Sequence, residues 1–272
     1  MIIGYIREME SVIKAAIALR KNPGSTLVYG RDIKDLGRKL STYHGEPYIM
    51  ADEDVKNIPF NIKSYLWVQM PACGMSQKGL SVGSYMTYSL RNRKCVPNEL
   101  VILAATYYPE LKGMLAQKDS LSKKYFHLYR ETMGELCRMK GLTRFTDTGK
   151  VLYVEVFPEH LIIDLFLEWA SSRFSSMPSL IKSHRDHYLV NANYLGYNKH
   201  IVEVSPEEAE KLKSHISFKD DKLWDIFYRS QYVESRRNKE YALRKIPEKC
   251  SYINPEIRKQ RKMLERGIPD TT

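Results

Sequence analysis

Apolar residues in this 272-residue chain recur at helical steps over some stretches and at alternate positions over others. Val12, Ile13, Ala16, Ile17 and Leu19 share one face of a helix predicted over 9–21, which Asn22, Pro23 and Gly24 close. Short strands are predicted on either side of it, over 1–6 and 27–29. Residues 31–40 predict an amphipathic helix with a cationic face. From 52 to 97 the periodicity fades. Tyr65, Leu66, Trp67, Val68 and Met70 read there as a buried strand, and Gly74, Gly79 and Gly83 lie among serines with no phosphate-loop spacing. Pro97 or Asn98 opens a helix over 99–108 that Pro109 ends, and a longer helix is expected over 120–138.

The pattern changes beyond residue 140. A hairpin is predicted from strands over 142–145 and 151–157 joined through Asp147, Thr148 and Gly149. Pro158 opens a strongly apolar helix carrying Leu161, Ile162, Leu165, Phe166 and Trp169, with Arg173 in its last turn. Alternating segments follow over 180–182, 188–192 and 199–204. Ser205, Pro206 and Glu208 then form a helix start with proline at its preferred first position. A last helix is expected over 221–249: Leu223, Trp224, Phe227 and Tyr228 make its apolar stripe, and Pro247 stops it. These elements predict an α+β fold, in which helices pack on one face of a small antiparallel sheet and a mostly helical N-terminal region precedes it. The expected divisions are 1–118, 119–255 and a basic C-terminal tail over 256–272.

Charge alters this picture most at the end of the chain. There are 43 Lys and Arg against 32 Asp and Glu, a net charge of +11 that favours polyanionic partners. Residues 222–266 concentrate it, with thirteen basic against six acidic side chains. Tyr228, Tyr232 and Tyr241 stand among the arginines, where they can stack on bases or complete the core. No apolar run is long enough to span a bilayer, and Arg7, Glu8 and Glu10 interrupt the N-terminal apolar stretch, so the expectation is a soluble, cytoplasmic chain with no membrane partner. Cys73, Cys95, Cys137 and Cys250 contain no C-x-x-C pair, which gives neither a disulfide framework nor a zinc ribbon.

Candidate chemistry is sparse. His184, Arg185, Asp186 and His187 spell H-R-D-H without the glycine-rich loop, strand lysine or D-F-G of a kinase, and without further residues at metal-ligand spacing. No three-cysteine cluster of radical-SAM enzymes and no acidic-proline water-activating motif of uracil glycosylases is present, so no cofactor is expected. Glu135 and Glu155 flank Arg138, Lys140 and Arg144 across the helix-to-hairpin junction. They are either an acid/base and phosphate site or an ion-pair network holding the junction.

Three separated blocks carry a resemblance: E-x-x-R-M-K-G-x-x-R-F at 135–145, the apolar helix ending in Arg173 and Phe174, and L-W-x-x-F-Y-R-S through R-R-N at 223–238. Together they resemble the family of the domain of unknown function 4130, over about 125–255. The resemblance implies a role in DNA metabolism beside a radical-SAM modification or repair protein, and in some relatives fusion to a uracil-DNA glycosylase. Relatives carry a tryptophan in a basic-aromatic segment after the helix-ending proline, where this chain has Glu248, Lys249, Cys250, Ser251 and Tyr252. The expectation is therefore a nucleic-acid-binding protein, with DNA its ligand and RNA not excluded, working with such a partner enzyme. Arg138, Lys140, Arg144, Arg185, Arg229, Arg236 and Arg237 would hold phosphates, and Asn238 would add a polar contact. Two alternatives stay open: an enzyme acting on a nucleobase or nucleotide through Glu135 or Glu155, and a protein-interaction module.

Overall fold

The structure is a computed structural model and describes residues 1–44, 46–64, 66–68 and 80–213. The chain divides into two compact units, Met1–Gly134 and Glu135–Thr272. The helix predicted over 221–249 and the basic tail lie outside the described residues.

The first unit opens with strand β1 (Ile2–Ile6), helix α1 (Met9–Lys21), strand β2 (Thr26–Gly30), helix α2 (Ile33–Leu40) and strand β3 (Tyr48–Met50). All three strands are parallel, in the order β2-β1-β3. Because the chain steps to one side of β1 and then to the other, right-handed crossovers put α1 and α2 on opposite faces. The cores agree: Ile3 and Tyr5 pack with Val12, Ile13 and Ala16 of α1, while Ile2 and Val28 pack with Leu36 and Leu40 of α2. Gly30 permits a close approach, since a Cβ there would lie 2.4 Å from the backbone nitrogen of Leu36. Asp32 caps α2 by accepting from the Asp35 backbone N–H at 2.8 Å.

Helices dominate the rest of this unit. Short α3 (Ala51–Asp54) and α4 (Phe60–Lys63) precede α5 (Val82–Arg91), α6 (Pro97–Tyr107), a 3-10 turn at Leu111–Ala116 and α7 (Ser120–Leu142), which runs past the division between the units. Asp119 caps α7, accepting from the Ser122 N–H at 2.8 Å and from the Tyr107 hydroxyl at 2.5 Å. The strand expected around 65–70 is not formed over its described residues: Leu66 and Trp67 lie in a turn. Leu66 is buried, Trp67 and Val68 are exposed, and the Leu66 carbonyl accepts from Gly83 N–H at 2.7 Å. One anchoring residue and a contact onto the start of α5 thus replace a ladder. Strand β3 has three residues, too few for an alternating pattern to register.

The second unit is α+β. Strand β4 (Thr146–Asp147), β5 (Leu152–Val156), helix α8 (Ile163–Arg173), β6 (Ser179–Ser183), β7 (Asp186–Val190), a 3-10 turn at Ala192–Leu195, β8 (Ile201–Val204) and helix α9 (Pro206–Lys213) follow in order. The five strands lie in chain order β4-β5-β6-β7-β8. The sheet is mixed where an antiparallel one was expected, because β5 and β6 pair parallel and α8 makes the crossover between them. Val151, Leu180, Leu189 and Val204 form a core with Ala209 of α9, and Leu212 packs against it. The alternate positions Val154, Val156, Ile181 and Val190 are buried as well, and α8 packs on β6 and β7. Both faces of the sheet are therefore covered, not one. Helix α8 starts five residues later than its proline suggested, which leaves Leu161 half exposed while Phe166, Leu167 and Ala170 make the buried face. At the start of α9, Ser205 Oγ accepts from the Glu208 N–H at 3.2 Å. No helix among the described residues is long and apolar enough to cross a membrane.

Candidate functional site

Alternation along β5 sends Leu152, Val154 and Val156 to one face and Tyr153 and Glu155 to the other. Parallel pairing places Lys182 opposite Glu155, and the β6–β7 hairpin places His187 opposite Lys182. Three adjacent strands thus present Glu155, Lys182 and His187 as one row. Glu155 and Lys182 each stand one residue before the carboxyl end of their strand. Glu155 Oε1 accepts from the Tyr153 hydroxyl at 2.6 Å and from Lys182 Nζ at 3.4 Å. Burial alone would raise the Glu155 pKa, but the Tyr153 hydrogen bond and the Lys182 charge outweigh it and hold the carboxyl below its ordinary range. Burial, with the neighbouring Glu155 carboxylate, pushes the Tyr153 phenol up.

Helix α9 extends the charge cluster. The Lys213 ammonium stands 4.8 Å from the Tyr153 ring centroid and pairs with Glu210 at 2.5 Å. His187 is 7% exposed, and its Nδ1 is buried without a hydrogen-bond partner among the described residues. Such an orphan costs about 1–3 kcal/mol and marks the row as more than a packing solution. A lysine, a carboxylate with depressed pKa and a phenol in mutual contact can hold and pass a proton, and the lysines give the patch affinity for anions.

Glu135 has a different task. From the unit's first residue on α7, its Oε1 accepts from the Glu159 N–H at 2.8 Å and its Oε2 from the His160 N–H at 3.0 Å. The carboxylate is 5% exposed, with an oxygen committed to each amide, so it anchors the loop between β5 and α8. The same loop meets His184, whose Nε2 lies 3.2 Å from the Pro158 carbonyl and whose ring meets Phe157 edge-on. The two candidate carboxylates are thus set apart by their surroundings, one in a row of titratable side chains and one bound to backbone.

The cationic candidates scatter. Arg138 and Lys140 are half-buried on the last turns of α7, and Arg138 Nε has no hydrogen-bond partner among the described residues. Arg144 is half-buried between α7 and β4. Arg185 is exposed at the tip of the β6–β7 hairpin, where His184 takes φ +54°. The H-R-D-H string is that hairpin, with His184 at its turn and His187 buried on β7. Arg229, Arg236, Arg237 and Asn238 lie outside the described residues. Tyr153, Lys182, His187 and Lys213 were missed by sequence reasoning. Polar residues at alternate strand positions read as solvent-facing, and only the pairing of β5 with β6 brings them together.

A family model described as a domain of unknown function, DUF4130, matches residues 96–256, from the start of α6 through all of the second unit's described elements. No curated protein and no solved structure matches the chain.

Proposed function

Because the chain belongs to the DUF4130 family, we propose that it is a nucleic-acid-binding protein acting in DNA repair or modification beside a radical-SAM or glycosylase enzyme. The observation that carries this reading is the charge: +11 overall, with thirteen Lys and Arg against six Asp and Glu in 222–266. Neutralising phosphates releases condensed cations, so a protein of this charge binds polyanions with an affinity that falls steeply with salt. Arg185 at its exposed hairpin tip and Lys182 in the sheet row add cations in the second unit. Titrating labelled single- and double-stranded DNA across a salt series tests the reading. Each phosphate contact should contribute about −0.9 to the log–log slope on duplex DNA. A flat slope, or no binding at low salt, refutes it, and RNA run in parallel decides which polymer is preferred.

A second reading, an enzyme acting on a nucleobase or nucleotide, is favoured by one observation: Glu155 with its Tyr153 and Lys182 partners beside the orphaned His187 nitrogen. Glu155→Gln removes the ionisable group and nearly preserves shape. Incubation with uracil-containing and otherwise damaged oligonucleotides, read by mass, should then show product from the parent protein and none from the variant. No product from either excludes this reading for those substrates.

A further inference from the structure

The turn after β7 builds a second polar constellation, separate in its residues from the sheet row. Asn191, fully buried with φ +57°, directs its Nδ2 at the carbonyls of Phe174 (2.7 Å), Met177 (3.0 Å) and Ser171 (3.4 Å). This ties the turn to the end of α8. Residues 192–200 then fold back on themselves, with the Ala192 N–H donating to the His200 carbonyl at 3.0 Å and Tyr197 N–H to the Ala192 carbonyl at 3.3 Å. The result sets Asn193 and His200 side by side against Ser171, a residue of the last turn of α8. His200 Nδ1 lies 3.2 Å from Asn193 Oδ1, and His200 Nε2 is hydrogen-bonded to Ser171 Oγ. Ser171 Oγ also lies 3.1 Å from Asn191 Oδ1.

This is the arrangement of an activated nucleophile: a hydroxyl in contact with a base whose other ring nitrogen is oriented by a third group. With the proton on Nδ1 and donated to Asn193, Nε2 offers a lone pair to the Ser171 hydroxyl. From this geometry we propose that Ser171, His200 and Asn193 form a nucleophilic site that takes acyl groups from uncharged carboxylic esters. Ser171 Oγ bonds to the ester carbonyl carbon while its proton passes to His200 Nε2. The acyl–oxygen bond to the leaving group then breaks, and His200 returns the proton to the departing alkoxide. The serine is left acylated and the alcohol is released; water attacking that ester, its proton again taken by His200, restores Ser171 and frees the acid.

Position selects the substrate. The site lies at the carboxyl end of a helix, where the macrodipole stabilises the imidazolium formed during the transfer and opposes negative charge on the reactant. A phosphate ester would carry charge into that end, whereas a carboxylic ester carries none. The same dipole opposes the oxyanion of the tetrahedral intermediate, so acylation should be far easier to observe than turnover. His200 is exposed, which leaves the base open to a ligand.

The test uses the full chain with a neutral fluorophosphonate probe, read by intact mass and then by peptide mapping. One adduct per chain is expected, located on Ser171, absent in Ser171→Ala and formed roughly 100-fold more slowly in His200→Gln. Mapping the adduct on the unmutated protein keeps the result independent of whether either variant folds. No adduct under conditions that label a serine hydrolase, an adduct located elsewhere, or an unchanged rate in a folded His200→Gln overturns the proposal.

Discussion

Replacing Glu135 by alanine should cost the second unit more than any single hydrogen bond would suggest. The carboxylate accepts from two adjacent backbone N–H groups at 2.8 and 3.0 Å, and its side chain is buried. Truncation leaves the His160 amide, on a buried residue, and the Glu159 amide, on an exposed one, without this acceptor. An orphaned buried amide costs about 1–3 kcal/mol and hydrogen bonds to a charged acceptor are worth more than neutral ones, so the combined loss should be about 2–4 kcal/mol, less whatever water recovers at Glu159. At about 2–4 °C per kcal/mol for a domain of this size, the melting transition should fall by roughly 5–12 °C. Denaturant melts measure the total. Hydrogen exchange at the amides of 159 and 160 localises it, because those two should accelerate while the strands stay protected. If Glu135→Ala melts within about 0.5 kcal/mol of the parent, the range ordinary for surface substitutions, the loop-anchor reasoning is wrong.

Two further outcomes follow from local geometry. The Tyr107 hydrogen bond, with the Ser122 amide after it, lowers the Asp119 pKa to about 2, so the stability it contributes is present above its unfolded value near 4 and is lost as pH falls from about 4 through about 2. Asp119→Ala should cost about 1 kcal/mol at neutral pH and flatten that acid limb, and melts of both proteins at pH 7, 4 and 2.5 check it. Gly30→Ala places a methyl 2.4 Å from the Leu36 nitrogen and should destabilise the first unit by about 2 kcal/mol or more, whereas Gly37→Ala, with open space around it, should be neutral or mildly stabilising; equal melts for the pair would refute the close-approach argument.

Periodicity carried the helices and alternation carried the longer strands. Both are local, and so α6, α7, β6, β7 and β8 stand within a few residues of where the pattern puts them. What escaped was pairing. Nothing in 152–156 or 179–183 says that these strands run parallel, so the hairpin expectation extended the sheet antiparallel and the row from Glu155 to His187 was invisible. Lys182 and His187 looked like ordinary solvent-side residues for the same reason. Glu135 was legible as a candidate but not its role, because its partners are backbone amides twenty-four and twenty-five residues away. Ser171, Asn193 and His200 carried no signal: a helix, a 3-10 turn and a loop supply one residue each, and a backbone turn at Asn191 unites them.

The parallel joint between β5 and β6 also orders assembly in time. Strands β6 and β7 are joined by two residues, so Lys182 and His187 can reach register by closing a small local loop. Glu155 lies twenty-seven residues from Lys182 and cannot join them until α8 has folded and carried the chain back across the sheet. A chain emerging from synthesis would therefore hold the lysine and the histidine in place while the carboxylate strand waited on its crossover. The completed row is, in effect, a chemical record that the slowest closure in the sheet has happened.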